Sequence, residues 1–396
     1  MLFLTVFVLS LILFFIIKED KSFIHPTIVT CLIWWFLIVG YHTIDHGLYP
    51  LSDEFYSVLL LWVVPFSLFC KVASVFAQTK KVSLAHYRPD YIFSKWFILF
   101  FLLAILITLI MKIKEAQAIG LYDSLYASIR DLAVSRSRGE EEPPSSLFIL
   151  FNRFAVVSPV ICLVYLLNDF RTKYICFFSA IVIVYIFFGA NKGVLLHWFM
   201  AIVVILKYKG RLRLSQMLVL FSFVLIALII IQLFRSSAST EDYNWFHFIC
   251  VYLFSPLTAF DSFILHAGSD FQTPLNGGFI FGQFLNNEYS VYYDNNNFVY
   301  VPLPTNVFTV LCSYYADYGC LGVFIAASLH GLFWGYIYTR SKRQELYKVL
   351  YASLFYILVF QFFCDYLITA SLRSNILTMM FLFFIMYPVS YKKRLR

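Results

Sequence analysis

Charged side chains are scarce in this sequence. Asp, Glu, Lys and Arg make up 13% of the chain, whereas 61% of the residues are hydrophobic and the mean hydropathy is +0.79. A soluble domain is about a quarter charged and about half apolar. The composition therefore excludes a soluble fold. The repeated apolar runs of about 20 residues predict an all-α polytopic integral membrane protein.

Motifs for metal, nucleotide and redox chemistry are also lacking. The sequence has no Asp-x-Asp, no Walker motif, no Gly-x-Gly-x-x-Gly before a strand and no His-Glu-x-x-His. Its eight cysteines follow no zinc-binding or redox spacing, and most lie inside apolar runs. A disulfide bond among Cys250, Cys312 and Cys320 is left open, because an oxidising compartment would permit one. We predict no metal site and no cofactor.

The net charge of +8 could indicate nucleic-acid binding, but the positions of the basic residues favour another explanation. Lys and Arg cluster at the ends of apolar runs, and most of the 30 fall on alternate connections. Cytoplasmic loops of membrane proteins carry such an excess. The pattern predicts an outer N-terminus, an inner C-terminus, an odd number of spans and no nucleic-acid partner. The first apolar run, Met1–Ile17, is expected to be a retained span and not a signal peptide.

About 11 transmembrane helices are predicted within one membrane domain that covers residues 1–396. The predicted spans are Leu2–Ile17, Thr27–Thr43, Phe55–Phe76, Trp96–Met111, Leu147–Leu167, Tyr174–Phe188, Val194–Leu206, Ser215–Phe234, Tyr318–Tyr338, Val349–Thr369 and Asn375–Tyr387. The sixth and seventh are separated because Gly189 and Lys192 indicate a tight turn. Long outer, periplasmic loops are predicted at about 112–146 and 235–317, the second between the eighth and ninth helices, and the first is expected to start with an interfacial helix.

Four basic residues stand at or just inside the predicted outer ends of spans: Arg153, Lys192, Arg235 and Arg373. A charged side chain in the centre of a bilayer costs about 2.5–3.5 kcal/mol on insertion scales. Together the four cations would suit a phosphate or diphosphate, because Arg contacts phosphate oxygens in pairs. Each one alone could instead extend its charged end to the membrane interface. Arg153 fits that second interpretation least, because it lies beside Asn152 inside its span.

The second outer loop combines acids and histidines with a cluster of Tyr and Asn between residues 289 and 300. Tyrosine rings stack on the apolar faces of sugars, and Asn amides hydrogen-bond to sugar hydroxyls. The cluster, which includes Tyr292 and Asn296, therefore suits sugar binding. An aromatic belt at the membrane interface would have the same composition. No spacing selects one acid or histidine of the loop as a catalytic base.

Two local patterns resemble one family of membrane enzymes. The first is Gly189-Ala-Asn-Lys-Gly-Val-Leu-Leu196. The second is Pro304-Thr-Asn-Val-Phe-Thr309 followed by Tyr315-Ala-Asp-Tyr-Gly-Cys-Leu-Gly322. With its aromatic-rich spans, large late loop and basic C-terminus, the whole chain resembles the Wzy-type polymerases of bacterial O-antigen and related repeat units. It departs from the family pattern where Tyr318 replaces a common Phe and Lys192 a common Arg.

The resemblance implies a function, a location and partners. Such enzymes are multi-pass glycosyltransferases of the bacterial inner membrane. They transfer a growing glycan from undecaprenyl diphosphate to a lipid-linked repeat unit on the periplasmic face. The resemblance thus implies an undecaprenyl diphosphate-linked oligosaccharide as substrate, membrane lipid as surroundings and a chain-length regulator as protein partner. No metal or nucleotide is needed, because the lipid diphosphate is already an activated leaving group.

On this interpretation the four basic residues bind the diphosphate, and Tyr292, Asn296 and Asn306 bind sugar. The hypothesised catalytic base is Asp317 or His266, although Asp317 could instead orient the turn that follows it. One rival function is an O-antigen ligase-like transferase, which shares this logic. Another is a flippase or permease for lipid-linked sugars. It would need polar residues at mid-membrane and two similar halves, which are not evident in the sequence.

Overall fold

The chain is largely helical wherever its structure is described. The computed structural model describes residues 1–79, 95–119, 128–129, 132, 135, 145–169, 171–188, 192–212, 245–266, 299–302, 304–305, 307–368, 372 and 374–383. The elements are α1 (Leu2–Glu19), α2 (Pro26–Thr43), α3 (Asp53–Thr79), α4 (Lys95–Ile119), α5 (Ser146–Leu167), α6 (Thr172–Phe188), α7 (Lys192–Tyr208), α8 (Trp245–His266), β1 (Val299–Tyr300), β2 (Pro304–Thr305), α9 (Val310–Ser341), α10 (Glu345–Val359) and α11 (Ser374–Phe383). The two short strands pair antiparallel.

Six segments are long and apolar enough to cross a membrane: α1, α2, α3, α5, α9 and the run Glu345–Phe362. Shorter apolar stretches lie in α6, α7, α8 and α11. The prediction of a helical, multi-pass membrane protein is therefore confirmed. The number of 11 spans and the orientation stay predictions, and the predicted span Ser215–Phe234 lies outside the described residues.

The chain forms two compact units, and each is assembled from separated segments. Unit 1 contains Met1–Val82, Asp242–Arg340 and Ile357–Arg373, and unit 2 contains Ser83–Glu241, Ser341–Tyr356 and Ser374–Arg396. Unit 1 therefore includes α1, α2, α3, α8 and nearly all of α9. Unit 2 includes α4 to α7, α11 and most of α10.

In unit 1, α1, α2 and α3 pack against one another. α2 begins at Pro26, whose fixed backbone suits the first turn of a helix. The ring of His25 accepts a hydrogen bond from the backbone N–H of Thr27 at 3.2 Å, which satisfies one free donor of that first turn. α2 then buries Trp34 and Leu37 in the core of the unit.

α9 is a broken helix. Its backbone leaves helical geometry at Tyr318 and Gly319, and Gly319 has φ +58°, a left-handed value that residues with a Cβ rarely adopt. The two helical segments approach closely after the break, since a Cβ at Gly322 would lie 2.2 Å from the carbonyl O of Tyr314. The two glycines of the Asp-Tyr-Gly-Cys-Leu-Gly pattern therefore have separate structural reasons, one for the turn and one for the approach.

Two further glycines bring α9 against α3. A Cβ at Gly331 would lie 2.4 Å from the carbonyl O of Phe66, and a Cβ at Gly335 would lie 2.2 Å from the carbonyl O of Cys70. The four-residue spacing puts both glycines on one face of α9. Small residues at this spacing are a common means of close packing between membrane helices, where burial from water cannot drive association.

In unit 2, α5 contacts α4, α6 and α7. It begins after Ser145, whose side chain accepts a hydrogen bond from the N–H of Phe148 at 3.3 Å. Val164 and Tyr165 of α5 are fully buried. The predicted separation of the sixth and seventh spans agrees with two helices, α6 and α7. Lys192 is the first residue of α7 and not a residue of a turn.

Both predicted outer loops include residues that are helical in the structure. The segment 235–317 contains the 22-residue α8 and the first eight residues of α9. α8 is buried on one side because Phe254 and Leu257 pack within unit 1, where α8 contacts α2 and α3. In the other predicted loop, 112–146, α4 continues to Ile119, past the predicted start at residue 112.

The predicted span Val349–Thr369 is also wrong at its second end. α10 stops at Val359, and a single 3-10 turn, Phe360–Phe362, follows it. The chain then bends at Asp365, whose Oδ1 accepts a hydrogen bond from the backbone N–H of Leu367 at 3.0 Å. An aspartate that bonds to the backbone two residues later stabilises a turn in place of a helix.

Candidate functional site

Asp317, one of the two predicted bases, is the last residue before the break in α9 and has 0% exposure. Its neighbour Tyr318 is 45% exposed. A catalytic base must come within hydrogen-bond reach of the proton that it removes. The carboxyl of Asp317 has no direct path to a sugar hydroxyl in this conformation. Its burial favours the alternative role, in which Asp317 orients the turn.

Three buried side chains of unit 1 form a hydrogen-bonded chain that includes both segments of α9. The Oη of Tyr314 donates to Oδ2 of Asp365 at 2.9 Å and lies 2.8 Å from Nε2 of His330. Because the phenol hydrogen points to the carboxylate, the phenol oxygen is left to accept from the Nε2–H of His330. Tyr314 precedes the break and His330 follows it, so the chain fixes both segments to Asp365.

Gln361 connects three separated parts of unit 1. Its Oε1 accepts from the indole N–H of Trp34 at 3.0 Å and of Trp62 at 2.9 Å. Its Nε2 donates to Oγ1 of Thr30 at 3.0 Å and to the carbonyl O of Leu358 at 2.7 Å. A side-chain amide has two acceptor lone pairs and two N–H donors. All four are used, so Gln361 is a structural residue and not a free ligand.

A small cavity lies between these two networks. His330, Gln361 and Cys364 line it together with aromatic and aliphatic side chains such as Trp62. The space open to the centre of a water molecule is ≈ 10 Å³, and a water needs about 10–15 Å³ by this measure. The cavity therefore has no room for a sugar or a diphosphate, and such a substrate would have to bind elsewhere.

Arg153, one of the predicted diphosphate ligands, is exposed on α5 in unit 2. Beside it, Oδ1 of Asn152 accepts from the Oη of Tyr185 at 2.6 Å. The Nζ of Lys112 lies 5.5 Å from the centroid of the Tyr185 ring, within the range of a cation–π contact. Lys112 of α4 therefore approaches the ring that is hydrogen-bonded to Asn152 of α5. No carboxylate among the described residues pairs with Arg153.

A cluster at the α2–α3 connection was missed by the sequence analysis. His42 is exposed in the last turn of α2, and its Nε2 lies 2.5 Å from the Oη of Tyr56 on α3. The hydroxyl of the preceding Tyr41 donates to the carbonyl O of Tyr49 and lies 3.2 Å from Oγ1 of Thr258 on α8. The cluster therefore joins α2, α3 and α8 at one end of unit 1.

His46 and Asp261 hold this connection in place. Nδ1 of His46 accepts from the N–H of Leu48 at 3.0 Å, so its Nε2–H donates to the carbonyl O of Tyr41 at 2.9 Å. The two oxygens of Asp261 on α8 accept from the N–H of Ser52 at 3.0 Å and from its hydroxyl. The sequence signal that could have revealed this cluster was the run Tyr-His-Thr-Ile-Asp-His. It places several titratable side chains together at the predicted outer end of a span.

The other predicted site residues are described in part or not at all. Lys192 begins α7 and His266 ends α8, but their side chains lie outside the described residues. The remaining predicted residues lie wholly outside them: Arg235, Arg373, Tyr292, Asn296 and Asn306. All eight cysteines are free, so the disulfide left open among Cys250, Cys312 and Cys320 is not formed.

Neither a metal site among the described residues nor a known relative indicates a function for this chain. Within the part of the chain that the structure describes, no three His, Cys, Asp or Glu side chains are grouped so as to hold a metal ion. Comparisons with known protein families, curated proteins and solved structures found no match.

Proposed function

We propose that this chain is a polymerase of lipid-linked oligosaccharide repeat units in the bacterial inner membrane. It would transfer a glycan from undecaprenyl diphosphate to a lipid-linked acceptor on the periplasmic face. The multi-pass helical fold and the family-like patterns at Gly189–Leu196 and Tyr315–Gly322 support the proposal. The observation that carries it is the exposed Arg153 inside an apolar helix.

Arg153 follows the first residue of α5, Ser146, by about 10 Å at 1.5 Å per residue. A guanidinium in the apolar part of a membrane costs about 2.5–3.5 kcal/mol at the centre unless an anion or water stabilises it. A lipid diphosphate is an anion that stays at the membrane, and it accepts paired hydrogen bonds from Arg. Lys112, a cation of the same unit whose Nζ approaches Tyr185, would add a second positive charge.

The proposed reaction replaces one bond to the anomeric carbon by another. The acceptor hydroxyl oxygen bonds to the anomeric carbon of the donor glycan, while the bond from that carbon to the diphosphate oxygen breaks. The electron pair stays on the departing diphosphate, which Arg153 and Lys112 would stabilise. The hydroxyl proton passes to a base, for which the sequence predicts Asp317 or His266.

The test uses the purified protein in lipid vesicles with undecaprenyl diphosphate-linked repeat units and neither metal nor nucleotide sugar. We expect a ladder of products that differ by one repeat. Loss of a charge-assisted hydrogen bond costs about 1.5–3 kcal/mol, so Arg153→Ala is expected to lower the rate about 10- to 100-fold. Lys114→Ala, which removes an exposed cation of α4 in the same unit, is the control. Equal rates and chain lengths in both variants would refute the role of Arg153.

The same assay separates two other functions. An O-antigen ligase-like transferase would move a finished polymer in one step to a lipid-A core acceptor and form no ladder. A flippase or permease gains support from the buried chain of Tyr314, His330 and Asp365, because ionisable groups inside membranes are frequent in transporters. That function would move unchanged lipid-linked sugar across the vesicle membrane.

A further inference from the structure

We infer that Tyr185 holds Asn152 and Lys112 as a pair of donors that selects a lipid diphosphate over a lipid monophosphate. The inference rests on the proposed function and concerns the specificity of the same diphosphate site. The residues involved lie on α4, α5 and α6, which all belong to unit 2. Asn152 is the specificity-determining residue of this site, and Tyr185 is its positioning residue.

Three helices bring these side chains to one end of unit 2. α4, α5 and α6 contact one another. Lys112 lies about 10 Å before the last residue of α4, and Asn152 lies about 9 Å after the first residue of α5, at 1.5 Å per residue. Tyr185 is three residues from the end of α6. The distribution of Lys and Arg in the sequence predicts that these helix ends face the periplasm.

The phenol of Tyr185 makes one contact with each partner. Its Oη donates to Oδ1 of Asn152 at 2.6 Å. The centroid of its ring lies 5.5 Å from Nζ of Lys112, a cation–π distance. Tyr185 is 7% exposed, whereas Asn152 and Lys112 are half-buried. A buried ring therefore holds two side chains that are themselves partly open to their surroundings.

The bond to Tyr185 also orients the amide of Asn152. Because Oδ1 accepts from the phenol, the two N–H groups of Nδ2 remain as donors for another group. Among the described residues, neither Nδ2 of Asn152 nor Nζ of Lys112 has a hydrogen-bond acceptor. The charge of Glu115 acts on Lys112, but the two form no ion pair. Both donors are therefore available to a ligand.

These donors complement the second phosphate of a lipid diphosphate. Arg153, the next residue on α5, can bind two oxygens of one phosphate with its paired N–H groups. A second phosphate brings further charge and further oxygens, which need further donors. Lys112 supplies a charge-assisted hydrogen bond, and the amide of Asn152 supplies N–H groups. A monophosphate leaves these donors unused, so the site favours carriers that are joined to their glycan through a diphosphate.

The experiment measures the binding of undecaprenyl diphosphate and of undecaprenyl monophosphate to the whole chain in lipid vesicles. Asn152→Asp separates a structural role from a ligand role, because a carboxylate still accepts from Tyr185 but has no N–H groups. Loss of a hydrogen bond to a charged group corresponds to a factor of about 10–100 in affinity. We expect the ratio of diphosphate to monophosphate affinity to fall by that factor in Asn152→Asp, and also in Asn152→Ala.

Tyr185→Phe tests the positioning role. It keeps the ring that contacts Lys112 and removes the hydroxyl that orients Asn152. Loss of a neutral hydrogen bond corresponds to a change of about fivefold, so we expect the ratio of affinities to fall by that factor. In an Asn152→Ala background, Tyr185→Phe should lower the ratio no further, because the hydroxyl acts through Asn152. A purely structural phenol would lower the melting temperature and leave the ratio unchanged.

Gln117→Glu is the matched control for the charge that Asn152→Asp introduces. It changes an exposed amide of α4 to a carboxylate within the same unit, on a face of the helix turned about 140° from Lys112. We expect Gln117→Glu to keep the wild-type ratio of affinities.

The outcomes separate this inference from the proposed function. A wild-type protein without preference for the diphosphate, or a folded Asn152→Asp protein with the wild-type ratio, overturns the inference even when polymer is formed. If Asn152→Asp does not fold, Tyr185→Phe decides, and an unchanged ratio there overturns the inference. If the wild-type protein forms no polymer but its preference for the diphosphate depends on Asn152, the polymerase function fails and the diphosphate site stands.

Discussion

Replacement of Gln361 by Leu should destabilise the protein because of the hydrogen bonds that it removes. Leu has nearly the volume of Gln but no polar atoms. In Gln361→Leu the indole N–H groups of Trp34 and Trp62 stay buried and lose their shared acceptor. Thr30 and the carbonyl O of Leu358 lose one donor each.

The size of the effect can be bounded in two ways. An unsatisfied buried donor costs about 1–3 kcal/mol, so two indole groups cost about 2–6 kcal/mol. Hydrogen bonds between membrane helices average about 0.6 kcal/mol each, because the unfolded chain in a membrane also finds partners, so the three lost bonds to α2 and α3 cost about 1.8 kcal/mol. The two estimates meet at about 2 kcal/mol. We expect the free energy of unfolding to fall by that amount.

The assay is reversible unfolding in mixed micelles, followed by tryptophan fluorescence. Gln78→Leu is the matched control, because Gln78 is exposed near the end of α3 and such substitutions change stability by less than about 0.5 kcal/mol. In a Trp62→Phe background, Gln361→Leu leaves one indole N–H unsatisfied and not two. Its cost should then be smaller by about 1 kcal/mol. Wild-type stability of Gln361→Leu, or the same cost in both backgrounds, would refute this account.

Two further predictions concern carboxylates. Asp317→Asn should lower the melting temperature by a few degrees, at about 2–4 °C per kcal/mol, and leave polymerisation intact at lower temperature, because Asp317 is buried. Loss of polymer at an unchanged melting temperature would instead identify Asp317 as the base. The hydrogen bond from Lys209 lowers the pKa of Asp169, whose ionised form therefore stabilises the fold above the unfolded value of about 3.9. Thermal melts across pH should show this stability lost as the pH falls through the lower folded value, and Asp169→Asn should lack that loss.

Local signals in the sequence predicted the helices well. Long apolar runs became α1 to α7, with small shifts at their ends except in α4, which continues from the predicted end at Met111 to Ile119. Helix formation inside a membrane satisfies every backbone group within the segment. The turn after Asp317 was also considered, and its physical reason is the left-handed backbone of Gly319. α8 was missed because its polar residues resemble those of a loop. Asp261, one of them, is satisfied by Ser52, a residue 209 positions away.

The candidate site was also harder to predict, because the contacts that form it are not visible in the sequence. Tyr56 orients His42 across the α2–α3 connection, and the sequence shows two titratable residues without showing that they meet. Arg153 was singled out as a charge inside a predicted span, and it lies inside α5 with an exposed side chain. Lys112 was assigned to a loop edge, whereas α4 continues past it to Ile119.

The packing of unit 1 follows from a property of lipid as a solvent. Lipid tails are as apolar as Leu, so apolar faces alone cannot select which membrane helices meet. In unit 1 a few polar and small residues make this selection. Gln361 bonds to Trp62 and Trp34, which lie 299 and 327 positions before it in the chain, and Gly335 meets the backbone of α3. These residues are needed for packing and are saturated or inaccessible. Groups that are polar, exposed and not saturated, such as His42 and Arg153, are therefore the better candidates for chemistry on a substrate.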